Sequence, residues 1–170
     1  SGPGARATGV SHKHGWDCRQ YPLAMAFQPD SDRIEWRVHL TSPPEKVYDI
    51  IASDEGRASF WAESADEING VVHFEFINGM TYAGRILESD RPRRWAVDYF
   101  GSQVTFVLEP DGTGGTDLTM VDLGVVEEDR VEVTAGWLNV LLPLKATVDF
   151  GVDLHNHDSS RSWDQGYADH

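Results

Sequence analysis

Three polar side chains could perform acid–base chemistry, namely Tyr82, Tyr99 and Asp122. Each lies in a run whose alternating pattern predicts a β-strand, and Asp122 shares its parity with Leu118 and Met120, which predicts that it points inward. Burial would raise the pKa of such a carboxyl group and suit it to proton transfer. Because the sequence shows no base beside either tyrosine and no dyad or triad, we expect no catalytic residue.

A second group of possible ligands follows the last helical segment. His155 and His157 alternate with other donors in the stretch 153–158, and alternating donors in an extended segment can reach one ion. His12 and His14 form a similar pair near the start of the sequence. Since the sequence offers no further fixed ligands, we expect no metal and no cofactor. If a metal site does exist, its candidate ligands are His155 and His157.

Large aromatic and apolar side chains dominate the predicted interior. Flat rings can line a pocket for aromatic or polycyclic ligands, and each ring pair contributes about 0.5–1.5 kcal/mol beyond burial. Rings also fill ordinary cores, so we expect only a subset to surround a cavity. The candidates for ligand contact are Trp36, Trp61, Phe74, Phe76, Tyr82, Trp95, Tyr99, Phe106, Met120, Trp137, Leu141 and Leu144.

The elements that would position these residues follow from periodicity and turn chemistry. Residues 34–40 alternate as a half-buried strand, and Ser42-Pro43-Pro44-Glu45 has the pattern of a capping box that opens a short helix. A second short helix begins near Asp54. Five strand-like runs then extend from residue 66 to 123, with Asn78-Gly79 as a strong hairpin signal. Short loops between successive strands predict an antiparallel sheet.

One long helical segment, residues 129–150, follows the strand pattern. Its apolar residues, among them Val131, Leu138 and Leu142, cover more than one face, which predicts a helix enclosed on most sides. Gly151 stands where a C-terminal cap is expected. Because no other segment is long enough to cover one face of the sheet, we predict that the sheet packs against this helix.

Composition and charge disfavour several classes of partner. The 170 residues include 14 Lys and Arg against 28 Asp and Glu, a net charge of −14. An acidic surface repels phosphate backbones and anionic lipid, so we expect no nucleic-acid partner and no membrane insertion. Cys18 alone cannot form an internal disulfide and no signal-peptide pattern opens the sequence, so we expect a cytoplasmic protein. We also expect a monomer or weak dimer.

The chain divides into three regions. Residues 1–32 are rich in Gly, Pro and polar residues, which predicts a flexible or surface-draped tail. Residues 33–151 hold the periodic elements and predict one ligand-binding domain. Residues 152–170 include Trp163 and Tyr167, whose full exposure would be costly, so we expect this extension to pack on the domain.

Four short motifs occur in one order over residues 34–150. They are Pro44-x-x-Val47-Tyr48, Phe60-Trp61, Phe106-x-Leu108 with a later Gly-rich turn and Thr119-Met120, and Gly136-Trp137-x-x-x-Leu141-x-x-Leu144-Lys145. In these motifs the chain resembles the START/Bet v 1-like (SRPBCC) superfamily, in the branch named for the activator of the heat-shock-protein ATPase. The resemblance implies an α+β helix-grip fold: a curved antiparallel sheet wrapped around a long C-terminal helix, with two short helices after the first strand.

The same resemblance leaves function open, because members of the superfamily include ligand binders, polyketide cyclases, co-chaperones and proteins that sequester natural products. Our first hypothesis is non-enzymatic binding of a hydrophobic, aromatic or polyketide-like small molecule between the sheet and the long helix. The resemblance implies a narrower version, namely antibiotic (enediyne-type) biosynthesis or self-resistance by sequestration.

Two alternatives come from other classes. A cyclase- or aromatase-type enzyme would use Tyr82, Tyr99 or Asp122 in the same cavity. A co-chaperone-like interaction module would need a large exposed basic or apolar patch, which the acidic sequence does not reveal.

Overall fold

A computed structural model describes residues 32–169. The predicted N-terminal tail, with His12, His14 and Cys18, therefore lies outside the described residues except at its last position, and so does His170.

Seven strands form one curved antiparallel sheet in the described part of the chain, in the order β1-β7-β6-β5-β4-β3-β2. Strands β2 to β7 follow one another as neighbours, and β1 closes the sheet beside β7. Because successive strands are joined by tight turns, several turns gather at the same end of the sheet. The strands are β1 Arg33–Leu40, β2 Ser64–Ile68, β3 Val71–Glu75, β4 Thr81–Asp90, β5 Arg94–Tyr99, β6 Ser102–Pro110 and β7 Thr116–Leu123.

The sequence prediction of five runs after residue 66 is one strand short, because it omits β2. This strand reads SADEI and buries only Ala65, which faces Phe74 of β3. With a single buried position, β2 has no apolar alternation for a period-of-two search to detect. It is recognisable only through its pairing with β3.

Two short helices follow β1 and one long helix follows β7, as predicted. They are α1 Pro44–Ala52, α2 Asp54–Ala58 and α3 Arg130–Lys145, which continues as one π-helical turn, Ala146–Phe150. Gly151 ends this helix with φ 66°, a left-handed conformation that glycine adopts without strain, so the predicted cap is confirmed. Within residues 32–169, these helices lack the length and apolar character needed to cross a membrane.

The predicted capping role of Ser42 is wrong. Pro43 occupies the N-cap position of α1, and no side chain there bonds to the helix. The Ser42 hydroxyl instead donates to the carbonyl oxygen of Val148, 3.1 Å away. Because Pro43 takes the N-cap position, the Ser42 side chain is available to bind the end of the long helical segment.

Asp149 fastens the end of α3 to the connection between β1 and α1. Its carboxylate accepts hydrogen bonds from the backbone N–H groups of Thr41 and Ser42, each at 3.1 Å, and lies 3.1 Å from the Lys145 ammonium. Burial opposes the charge of Asp149, yet these bonds lower its pKa to about 2. The carboxylate is therefore ionised across the ordinary pH range.

The prediction that α3 is enclosed on most sides is wrong. Val131, Leu138 and Leu142 are 83%, 37% and 55% exposed, whereas Trp137 and Leu141 are buried. The sheet covers only one side of the helix, so the second apolar stripe remains on the surface. This exposed stripe is an apolar surface that the sequence analysis did not find.

Replacing Asp149 with Asn should lower the free energy of unfolding at neutral pH by about 2 kcal/mol, because one backbone N–H would face an amide donor. The difference in the free energy of unfolding between Asp149→Asn and wild type should become smaller at acidic pH. A carboxyl whose folded pKa is lowered stabilises the fold above its ordinary value of 3.8, and this stabilisation disappears as the pH falls through about 2.

Urea unfolding followed by circular dichroism over this pH range tests the prediction. Glu109→Gln, at an exposed site of β6, is the control and should leave stability unchanged. Equal stability of Asp149→Asn and wild type at neutral pH would contradict the proposed fastening.

Candidate ligand-binding site

A cavity of about 540 Å³ lies between the inner face of the sheet and the first half of α3. It is at the end of the sheet where the β3–β4 and β5–β6 turns meet the segment after β7. Its volume falls in the range of about 300–1,000 Å³ that is typical of small-molecule sites. The wall consists of Trp61, residues 76–78, Met80, residues 99–102, Asp122, residues 124–126, Asp129, Glu132, Val133, Gly136, Trp137, Val140, Ser162 and Trp163.

One face of α3 forms the helical side of the cavity. Val133, Gly136, Trp137 and Val140 are spaced at i, i+3, i+4 and i+7, so they share that face. A Cβ atom added at Gly136 would meet no atom within 4 Å, which shows that open space adjoins this glycine. The lack of a side chain at Gly136 therefore adds to the volume of the cavity.

Trp61 is the point where the cavity wall joins the core. It lies in the turn directly after α2 and is 4% exposed. Its ring centroid lies 5.1 Å from that of Phe74, 5.2 Å from Tyr99 and 5.7 Å from Trp137. These tilted and edge-on geometries are the favourable arrangements for aromatic pairs. Trp61 thus holds strands and α3 at a fixed separation.

The structure places only some of the predicted contact residues on the cavity. Trp61, Phe76, Tyr99 and Trp137 line it. Six others are buried in the core, and two are half-buried against it. The buried ones are Phe74, Trp95, Phe106, Met120, Leu141 and Leu144, and the half-buried ones are Trp36 and Tyr82.

Several wall residues were missed by the sequence analysis. The alternating pattern places Met80 and Phe100 on strands, but in the structure both lie in hairpin turns, where strand parity does not determine the direction of a side chain. Val133 and Val140 have the helical spacing that could have revealed them, but the second apolar stripe of α3 obscured it. Trp163 comes from the C-terminal extension, which was expected to pack on the domain, but it was not among the predicted contact residues.

Asp122 is the buried acidic group of the cavity. It is 1% exposed, and its Oδ2 accepts a hydrogen bond of 2.8 Å from Trp137 Nε1. Its Oδ1 is buried and accepts no hydrogen bond from any residue between 32 and 169. Burial raises the pKa of this carboxyl group above the ordinary value, although the neighbouring Ser102 hydroxyl, which donates its hydrogen bond to the Tyr99 carbonyl oxygen, and the Trp137 N–H act in the opposite direction. Oδ1 is therefore available to a hydroxyl or N–H group of a ligand.

The two tyrosines considered for catalysis occupy different positions. Tyr99 lies on the cavity wall, and burial raises its pKa, which keeps the phenol protonated. Tyr82 lies off the wall and donates a 3.1 Å hydrogen bond to Asp98 Oδ1. Within residues 32–169 neither tyrosine forms a hydrogen bond with Asp122. The wall thus holds a neutral phenol and a buried carboxyl group without a nucleophile–base pair.

The charged groups on the wall are all acidic. Asp122, Asp129 and Glu132 line the cavity, and among the described residues no Lys or Arg does so. Carboxylates repel an anionic ligand in a partly buried site. The wall therefore favours a neutral or cationic guest over a fatty-acid-like one.

The histidines considered as metal ligands lie outside this cavity, in the segment after α3. His155, His157 and Asp153 direct ligand atoms toward one another, all within 4.8 Å. Glu63, between α2 and β2, lies 3.0 Å from His157 Nδ1. The histidine pair thus has a carboxylate from its own segment and another from the domain. Trp163 connects the same extension to α3 through a 3.2 Å hydrogen bond to Glu132.

Fold and cavity together define a helix-grip protein with a hollow of ligand size. A family model confirms this class: the Activator of Hsp90 ATPase homolog 1-like protein family matches residues 41–149. The chain belongs to this family, as its motifs suggested. No curated protein matches the sequence.

Solved structures share the fold. The Aha1 dimer from Colwellia psychrerythraea is 19% identical with a TM-score of 0.63, covering 70% of this chain and 97% of that one. CalU16 from Micromonospora echinospora is 25% identical with a TM-score of 0.56, covering 70% and 77%. DynU16, from the dynemicin biosynthetic locus, is 18% identical with a TM-score of 0.61, covering 72% and 49%.

Asp122→Asn should raise the free energy of unfolding at neutral pH, because the amide carries no charge to bury and still accepts from Trp137. A carboxyl group whose folded pKa is raised stabilises the fold below its ordinary value of 3.8 and loses this effect as the pH rises through the folded pKa. The difference between variant and wild type should therefore grow from pH 3.8 upward.

Denaturant unfolding at a series of pH values measures this difference. Asp117→Asn, at an exposed position of the same strand, should show no such growth. Lower stability of Asp122→Asn at neutral pH would mean that the hydrogen bonds outweigh burial and would contradict the prediction.

Proposed function

We propose that this protein is a non-enzymatic binding protein for a hydrophobic, aromatic or polyketide-like small molecule, which it holds in the cavity beside α3. One observation carries the proposal: a hollow of about 540 Å³ walled by the rings of Trp61, Phe76, Tyr99 and Trp137. Rings at fixed angles offer flat surfaces for stacking, at about 0.5–1.5 kcal/mol per ring pair. The buried Asp122 Oδ1 offers one acceptor to orient the guest.

The acidic wall specifies the charge of the guest. Because Asp122, Asp129 and Glu132 face the cavity, a neutral polycyclic ligand should bind more tightly than its carboxylate derivative. Anthraquinone and anthraquinone-2-carboxylate form a matched pair of probes with the same ring system. Trp61, Trp137 and Trp163 on the wall provide the fluorescence signal, since a stacked quinone quenches indole emission.

Gly136 allows the site to be tested without disturbing the core. Gly136→Phe should project a ring into the open space and weaken anthraquinone binding by about tenfold or more, a change of about 1.4 kcal/mol. Gly136→Ala is the matched control: it should retain binding and gain about 1 kcal/mol of stability from helix propensity. Fluorescence titration measures the affinity, and thermal unfolding verifies that both variants fold.

If Gly136→Phe bound anthraquinone with unchanged affinity, the ligand would not bind in this cavity. The same conclusion would follow if anthraquinone-2-carboxylate saturated the protein at the same concentration as anthraquinone. Absence of quenching by any polycyclic probe would overturn the binding function itself.

We infer further that the guest is a natural product of the enediyne type and that binding serves its biosynthesis or self-resistance by sequestration. Support comes from the shared fold of DynU16, a protein of the dynemicin biosynthetic locus. Expression of the chain in a sensitive bacterium should raise survival under an enediyne, and Gly136→Phe should abolish the gain. Equal survival with and without the protein would count against self-resistance.

Asp122 and Tyr99 favour a second candidate, a cyclase- or aromatase-type enzyme. Both groups line the same cavity, and the raised pKa of Asp122 suits a carboxyl group that gives or takes a proton. Turnover of a polyketide intermediate that disappears in Asp122→Asn or Tyr99→Phe would establish this activity. Stoichiometric saturation without product supports the binding protein.

The exposed stripe of α3 favours a protein-interaction module as a third candidate. Val131, Leu138 and Leu142 present apolar side chains on the outer side of the helix. Replacing all three with Gln should abolish any effect on a heat-shock ATPase while leaving anthraquinone binding intact. An ATPase rate that is the same with and without the wild-type chain would eliminate this candidate.

A further inference from the structure

Asp153, His155 and His157, in the segment that follows α3, form a compact group of metal-ligating side chains. Each residue offers one ligand atom, and these atoms all lie within 4.8 Å of one another. The imidazole rings stand nearly perpendicular, with centroids 5.6 Å apart. Two imidazole nitrogens and a carboxylate oxygen are a donor set that suits zinc.

His155 supplies the observation that points to a ligand. Its side chain is only 5% exposed, and its Nδ1 atom is buried. This atom lies 3.3 Å from Asp153 Oδ1, but the geometry does not make a hydrogen bond, so Nδ1 is hydrogen-bonded to none of the residues that the structure describes. A buried polar atom without a hydrogen bond is costly, and a metal ion placed between the imidazole and the carboxylate would satisfy both groups.

His157 has the arrangement of a metal ligand with a supporting carboxylate. Its Nε2 lies 3.1 Å from Asp153 Oδ2, facing the group, while its Nδ1 lies 3.0 Å from Glu63 on the opposite side. Metal-binding histidines commonly donate their second ring N–H to a carboxylate, which fixes the tautomer and the ring orientation. Glu63 is placed to act in this way, because it belongs to the domain rather than to the C-terminal segment.

We propose that Asp153, His155 and His157 bind one divalent transition-metal ion of the zinc class, with Glu63 orienting His157. Three protein ligands leave a fourth position of a tetrahedral ion for water or another small ligand. The protein's net charge of −14 favours the approach of a cation. This proposal does not rest on the cavity or its guest.

The bound ion would also fasten the C-terminal extension to the domain. The extension carries Ser162 and Trp163, which form part of the cavity wall. A metal held by residues 153–157 and supported by Glu63 would restrict the motion of this part of the wall. Amide hydrogen exchange between Asp153 and Trp163 should therefore slow when metal is added.

Zn²⁺ titration of the untagged full chain, stripped with a chelator and followed by calorimetry, tests the site. We expect one ion per chain, and Co²⁺ should give the visible absorption bands of a tetrahedral ion. His155→Ala and Asp153→Asn should each weaken Zn²⁺ binding by more than about 100-fold, and Glu63→Gln by about 10-fold to 100-fold. Circular dichroism verifies that each variant is folded.

Two controls separate this site from other histidines. His73→Gln, at an exposed position of β3, and the double variant His12→Gln/His14→Gln should retain wild-type affinity. Absence of stoichiometric binding, unchanged affinity in both His155→Ala and Asp153→Asn, or loss of binding in the His12/His14 variant would each overturn the proposal. Because anthraquinone binding is measured separately, its failure leaves this result unaffected.

Discussion

Ring packing around Trp61 is the constraint on which the rest of the structure depends. This side chain is 4% exposed and touches rings from three strands and from α3. It therefore fixes the separation of the sheet and the helix at Trp137. Toward the C-terminal end of α3, buried side chains such as Leu141 and Leu144 fill the interior. Toward its N-terminal end, the smaller residues Val133 and Gly136 leave the cavity open. The rings around it are Phe60, Phe74, Trp95, Tyr99, Phe106 and Trp137.

Two carboxyl groups hold α3, one at the middle of the helix and one at its C-terminal end, in opposite electrostatic environments. Asp149, at the solid end, accepts several hydrogen bonds, which lower its pKa despite burial. Asp122, beside the cavity, accepts a hydrogen bond from Trp137 in the middle of α3, and burial raises the pKa of this carboxyl group. Asp149 contributes stability, while Asp122 retains one oxygen that accepts no hydrogen bond from the described residues and that a ligand can use. Stability and binding are thus assigned to different parts of one helix.

The fold could be predicted from the sequence because its main elements have strong local signals, such as the Asn78-Gly79 turn and the apolar period of α3. β2 could not, since its only buried residue is Ala65. The cavity was harder to predict than the fold. Parity assigns residues to the inner face of a strand but does not say whether the facing helix reaches them. The Leu141 side chain fills the space between α3 and the sheet, whereas Gly136 leaves this space empty. Only the packed structure shows which positions of the helix do each.

The placement of the hollow at the hairpin turns has an evolutionary consequence. Turn residues such as Asn78, Met80 and Phe100 contact the cavity, yet Met80 and Phe100 are 46% and 48% exposed and contribute little to the packed interior. Surface turns tolerate substitution and insertion far better than core positions. Selection could therefore alter which molecule is accommodated while the scaffold persists, so that descendants of one ancestral gene diversify in specificity without passing through unstable intermediates.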